Sequence, residues 1–187
     1  MIKLDFISSV KQAVEIVKLN GKVAENVSKD KNATLMGILI IAIGSILASV
    51  ASSIVLGNLN LSLIIFAPII SIIVYFIGIG VMHLLARLLG GKANYMEYFR
   101  AQSYSSVLSW LGILALIPLL GGIINFVVSI WGIVVSVVIL ENVHKLTRLK
   151  AIIVVVVPFL VLVLLVAFGA LAYFGALSPD TFLPATP

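Results

Sequence analysis

Residues 35–56 read LMGILIIAIGSILASVASSIVL, and residues 151–177 read AIIVVVVPFLVLVLLVAFGALAYFGAL. Neither stretch holds a charged residue, and each exceeds the 20 or so apolar residues that a helix needs to cross about 30 Å of hydrocarbon. Within lipid every backbone N–H and C=O must find its partner inside the protein, so only helices or a closed barrel can cross. A barrel would show ten-residue alternating segments; these runs are unbroken, so the chain reads as an all-α integral membrane protein.

The rest of the sequence agrees. Of 187 residues, 62% are hydrophobic and 10% charged, against about 25% charged in a soluble domain. The mean hydropathy is +1.27. There is no cysteine, which excludes a disulfide framework, thiolate catalysis and cysteine metal sites. No cleavable signal peptide is expected, because a polar segment of mixed charge precedes the first apolar run.

Outward from those runs, five spans are expected: 33–56, 61–81 with a continuation toward residue 89, 103–120, 123–140 and 151–177. Three parts follow: a cytoplasmic amphipathic segment (1–32), a five-span membrane domain (33–177) and a short external tail (178–187). The third and fourth spans are short, and a re-entrant hairpin is the alternative for them. In the first segment Phe6, Val10, Ala13, Val14 and Val17 recur at helical spacing, with Lys11, Lys18 and Lys22 among the polar positions. That pattern suits either an in-plane interfacial helix whose lysines meet anionic headgroups, or a helix folded back on the protein's own loops.

All 12 Lys and Arg residues fall before the first span, around the second loop, or in the fourth loop. The first loop, third loop and tail carry none. The positive-inside rule places the N-terminus in the cytoplasm and the C-terminus outside, and the cell membrane of a prokaryote is the expected location. The net charge of +5 belongs to a membrane surface; no nucleic-acid partner is expected.

Signatures of soluble enzymes are missing. Gly90-Gly91-Lys92 is not a phosphate-binding loop, since Ala86 takes the place of its first glycine and Ala93 that of its Ser or Thr. No carboxylate sits at a span centre, which argues against ion coupling. Glu141 and His144 lie three apart, and His83 with Arg87 at a matching depth of the second span. This permits a metal site of His83, Glu141 and His144; an Arg87–Glu141 ion pair beside hydrogen-bonded histidines is the plainer reading and is preferred. No cofactor is expected. Ser103, Ser105, Ser106, Ser109, Asn125, Ser129 and Ser136 cluster in the third and fourth spans. Interhelical hydrogen bonding is their default role, and a hydrophilic groove the alternative.

The run from His83 through Arg87, Gly90, Gly91, Lys92, Tyr95, Tyr98 and Phe99 to Arg100 resembles the second-span exit of prokaryotic YIP-type (Ypt-interacting) proteins. Ile117-Pro118, Trp131 and the run Glu141–Ala151 are similar to that family's later pattern, and Leu19-Asn20-Gly21 and Asp30-Lys31-Asn32 to its N-terminal region. Gly21 departs from that pattern, standing where proline is common. The resemblance implies five spans and a cytosolic N-terminus; a small GTPase as partner is implied by the family alone.

Together these readings point to a non-enzymatic membrane scaffold or adaptor. Its basic cytoplasmic face would carry Arg87, Gly90, Gly91, Lys92, Tyr95, Tyr98, Phe99, Arg100, Lys145, Arg148 and Lys150, with Lys11, Lys18 and Lys22 on the lipid surface. Anionic headgroups, a cytoplasmic protein and a second copy of the chain are the expected partners. The alternative is a transporter or channel for a small molecule, ion or lipid, using the polar residues of the third and fourth spans.

Overall fold

The structure, a computed structural model, describes residues 5–117 and 120–177. The tail at 178–187, the first four residues and Pro118 lie outside them. In chain order the elements are α1 (Phe6–Val17), α2 (Gly21–Lys29), α3 (Ala33–Val55), α4 (Leu61–Leu88), α5 (Tyr95–Ser105), a 3-10 helix (Ser106–Leu116), α6 (Leu120–Val143) and α7 (Arg148–Leu177). Four helix starts carry a side-chain cap, as their sequences dictate, whereas Asn32 before α3 makes none. The side chains of Asp5, Asn20, Asn60 and Asn94 accept from the backbone N–H three residues on, which satisfies an amide that has no partner within the helix. Asn94 and Glu97 form a reciprocal capping box.

Four helices, α3, α4, α6 and α7, are long and apolar enough to cross a membrane. Their outer faces stay uncovered: Ile65, Phe66, Leu164 and Phe168 are all more than half exposed, as lipid-facing side chains are. The stretch expected to be a third α-helical span differs. It is the second half of α5 followed by eleven residues of 3-10 helix, far longer than the three or four residues usual for that conformation. The repeat of its serines is the local feature that favours it, since single serines bonded the same way, Ser28 and Ser45, stay α-helical. Ser103, Ser106 and Ser109 each donate Oγ–H to the carbonyl three residues back, at 2.9, 2.5 and 2.6 Å. Such bonds compete with the i−4 ladder of an α-helix, and the three-residue repeat stacks the serines on one face of a 3-10 turn. Chain Leu120–Val143 is longer than the fourth span expected, so Glu141 lies inside α6 rather than in a loop.

The core gathers at one end of the bundle, where the basic residues are. Tyr98, Phe99, Ile139, Leu140 and His144 are inaccessible there. Of the two readings of the N-terminal segment, the fold matches the helix turned back on the protein. Ala13 and Ile16 of α1 are fully covered. Phe6 stacks on Trp110 with ring centroids 6.5 Å apart, and Trp131 Nε1–H donates to the carbonyl of Val17 at 2.8 Å. Most of the apolar side of α1 therefore meets protein, with Ile7 and Val14 left exposed. Helices α3 and α5 approach closely because Gly37 leaves room for Ser103; a Cβ there would collide with that hydroxyl.

Candidate functional site

Two regions bring together the residues singled out in the sequence: the basic end of the bundle, and a cavity among the spans below it.

At the basic end, α4 stops at a tight turn. Gly90 takes a positive φ of 95°, which favours glycine, and the Gly91 amide returns to the Ala86 carbonyl at 2.7 Å. The chain then crosses to the end of α6, where the Lys92 amide donates to the His144 carbonyl at 3.0 Å. Most of the polar groups expected to face a partner are instead spent on the protein itself. Arg87 donates to the carbonyls of Gly91 and Lys92. Arg100 bridges α5 to α2 and α3 through the Ser28 carbonyl at 3.0 Å and Thr34 Oγ1 at 2.9 Å. Lys150 Nζ caps the Leu89 carbonyl at 2.8 Å. Lys145 and Lys29 both pair with Glu25, at 2.7 and 2.8 Å, and these two ammonium groups hold its carboxyl down to about 2. Tyr98 and Phe99 are wholly buried, and Tyr95 O–H donates to the Phe76 carbonyl at 2.8 Å. Lys18 pairs with Glu15 at 3.0 Å. Lys11, Lys22 and Lys92 are exposed and have no ion-pair partner among the described residues.

His83 and His144 do meet: His83 Nδ1 and His144 Nε2 share a hydrogen bond of 3.3 Å. Glu141 does not join them. It pairs with Arg148 at the start of α7, at 2.9 Å, so neither the His83–Glu141–His144 set nor the Arg87–Glu141 pair forms. Among the described residues no three His, Cys, Asp or Glu side chains are grouped as a metal site would need. Burial, and then the neighbouring His83 and Arg87, hold the His144 imidazole down at about 4, so it stays neutral. Its Nδ1 is buried without a partner.

Below this end lies a cavity of about 940 Å³, walled by α3, α4, α5, the 3-10 helix, α6 and α7. Its polar side is a strip. Ser129 and Ser136 of α6 face Ser105, Ser106 and Ser109, and Gln102 ties the two sides together by donating from Nε2 to Ser136 Oγ at 2.9 Å and Ser105 Oγ at 3.2 Å. Tyr75 O–H reaches the Gln102 carbonyl at 3.4 Å. The opposite side is apolar, with Val155, Phe159 and Leu162 of α7. Sequence reasoning found the serines and Asn125 but missed Gln102 and Tyr75. The available signal was Gln102 itself, a lone amide at the head of a serine-spaced apolar run.

No curated protein and no solved structure matches the chain at a significant level. The model of one family, the Yip1 domain, matches residues 18–171. That match takes in α2 through most of α7, including the clasped basic end and every wall of the cavity, and the chain belongs to the Yip1 domain family.

Proposed function

We propose that this integral membrane protein of YIP type is a non-enzymatic scaffold that crosses the bilayer five times, with its N-terminus in the cytoplasm and its C-terminus outside. The 3-10 helix supports the fifth crossing. At about 2.0 Å per residue its eleven residues extend about 22 Å, and the five residues Ala101–Ser105, past the clasped Arg100, add about 8 Å at 1.5 Å each. The sum matches the hydrocarbon thickness of about 30 Å, although an α-helix of the 3-10 stretch alone would fall short. Charge asymmetry supports the cytoplasmic placement of the basic end, and the resemblance to prokaryotic YIP-type proteins supports a prokaryotic cell membrane.

The observation that carries the scaffold reading is the clasp. Five separate hydrogen bonds and ion pairs, from Lys92, Arg100, Lys145 and Lys150, join α2, α3, α4, α5, α6 and α7 at one end. This gives a braced platform with Lys11, Lys22 and Lys92 outward, suited to acidic lipid headgroups. Nanodiscs mixing phosphatidylglycerol and phosphatidylcholine test it. Lipid co-isolated with the full chain is enriched in phosphatidylglycerol, and the enrichment disappears when Lys11, Lys22 and Lys92 are changed to Glu. Unchanged lipid composition would sink the electrostatic part.

The cavity favours a second reading, in which the protein holds or moves a small molecule or lipid. Among the described residues its lining includes no Lys, Arg, Asp or Glu, which makes an ion a poor cargo. Passage of a labelled lipid between leaflets of proteoliposomes, compared with empty vesicles, checks this reading.

A further inference from the structure

We infer that the cavity between the spans is a binding site for one uncharged, hydroxyl-bearing lipid of the diacylglycerol kind; this rests on the second reading above and names its ligand.

The space is held open by missing side chains. Gly78 of α4, Gly112 of the 3-10 helix and Gly132 of α6 all line the cavity, and a Cβ added to any of them meets nothing within 4 Å. Glycine inside a helix weakens it, and in membranes glycine normally compensates by letting another helix approach. Gly37 and Gly44 do that, against Ser103 and Ser109. The three cavity glycines bring nothing closer. At about 940 Å³ the space they leave is at the upper end for a single bound molecule.

The polar strip defines the ligand's chemistry. Ser105, Ser106, Ser109, Ser129 and Ser136 each donate their hydroxyl hydrogen to a carbonyl of their own helix, at 2.5–2.8 Å. Their oxygens can then only accept. This fixes the Gln102 amide as well, because its NH₂ must be the group that faces Ser105 and Ser136. Its Oε1 is left buried without a partner, on a side chain 7% exposed. A buried amide oxygen without a hydrogen bond is uncommon. The serine side of the wall therefore presents acceptors, while the Asn125 amide in the same lining can donate, and a ligand hydroxyl, which both donates and accepts, complements the two. Charge is disfavoured for the same reason that ions are: among the described residues the lining offers no countercharge. A phosphate headgroup does not fit this requirement, while a free glycerol hydroxyl does. Val155, Phe159 and Leu162 supply the apolar surface for acyl chains.

Photo-crosslinking of the full chain in phosphatidylcholine nanodiscs tests this. One arm carries a diacylglycerol with a diazirine on its acyl chain; the others carry phosphatidate and phosphatidylcholine with the same chain. The diacylglycerol probe is expected to label cavity residues at least about fivefold more than either phospholipid, the ratio expected of one net hydrogen bond. Excess unlabelled diacylglycerol should compete. Gly132→Leu, whose Cβ would meet nothing within 4 Å, should abolish the labelling while its melting temperature stays at or above that of the parent. Gln102→Leu should bring the probe ratio toward one. Equal labelling by all three probes, or diacylglycerol labelling unchanged in Gly132→Leu, would overturn the proposal. If labelling succeeds while proteoliposomes show no lipid passage, the site stands and transport falls.

Discussion

Replacing Arg100 by Ala separates a structural clasp from a docking surface. The guanidinium of Arg100 spans three elements, donating Nε–H to Thr34 Oγ1 at 2.9 Å and an Nη1 hydrogen to the Ser28 carbonyl at 3.0 Å. Hydrogen bonds from a charged donor contribute about 1.5–3 kcal/mol each. Arg100 is half-buried, so water replaces part of what is lost, and the low end applies: about 2–3 kcal/mol for the two together. For a chain of this size each kcal/mol moves the melting temperature by about 2–4 °C, so Arg100→Ala should lower it by about 4–12 °C. Lys22→Ala, exposed and without an ion-pair partner among the described residues, should change stability by no more than about 0.5 kcal/mol. Thermal melts followed by circular dichroism in one detergent make the comparison. A cycle with Thr34→Val completes it: the second substitution should cost about 1 kcal/mol less in the Arg100→Ala background than in the parent. If Arg100→Ala melts with the parent, or if Thr34 and Arg100 prove additive, the basic end is not held together in the way described.

Further outcomes follow from the same structure. Gly91→Ala places a Cβ 2.6 Å from His144 Nδ1 and 2.7 Å from the Ala86 carbonyl oxygen; overpacking of this kind costs about 1–3 kcal/mol, visible as a lowered melting temperature. His144 is held neutral at about 4, against 6.5 for a free imidazole, so over that interval the folded chain binds fewer protons than the unfolded one. Stability from this residue is complete above about pH 6.5 and falls as the pH drops toward 4, by up to about 3 kcal/mol; melts recorded across that range should show the loss, and His144→Leu should flatten it. Ser106→Ala and Ser109→Ala together remove hydroxyls that bond three residues back, which should shift the 3-10 stretch toward α-helix and raise the ellipticity at 222 nm.

Much of the fold was legible because lipid imposes a crude demand. Residues 33–55, 61–88, 120–143 and 148–177 each supply more than 20 residues with few or no charges, and all four are helices long enough to cross. Hydropathy does not distinguish an α-helix from a 3-10 helix, so the segment after Ser105 escaped; the mark it carried was a serine every third residue. The basic end was legible as a location, since the positive-inside rule puts the cationic segments on one side of the membrane, but not as a mechanism. Which cation meets which carbonyl depends on pairs far apart in sequence, such as Arg100 with Ser28 and Lys145 with Glu25. Glu141 shows the limit of local spacing: it lies three residues from His144, yet Arg148 captures it. The cavity was foreshadowed by the serines, whereas its volume depends on how six elements leave room around Gly78, Gly112 and Gly132.

The central claim is that α5 and the 3-10 helix together carry the chain across the membrane. Because the chain contains no cysteine, single cysteines report topology without background. Asn58→Cys, Lys92→Cys, Gly122→Cys and Leu149→Cys are labelled in intact cells with a membrane-impermeant maleimide, and again after permeabilisation. Five crossings predict that Asn58→Cys and Gly122→Cys react from outside, while Lys92→Cys and Leu149→Cys react only after permeabilisation. Protection of Gly122→Cys together with Lys92→Cys in intact cells would contradict the account.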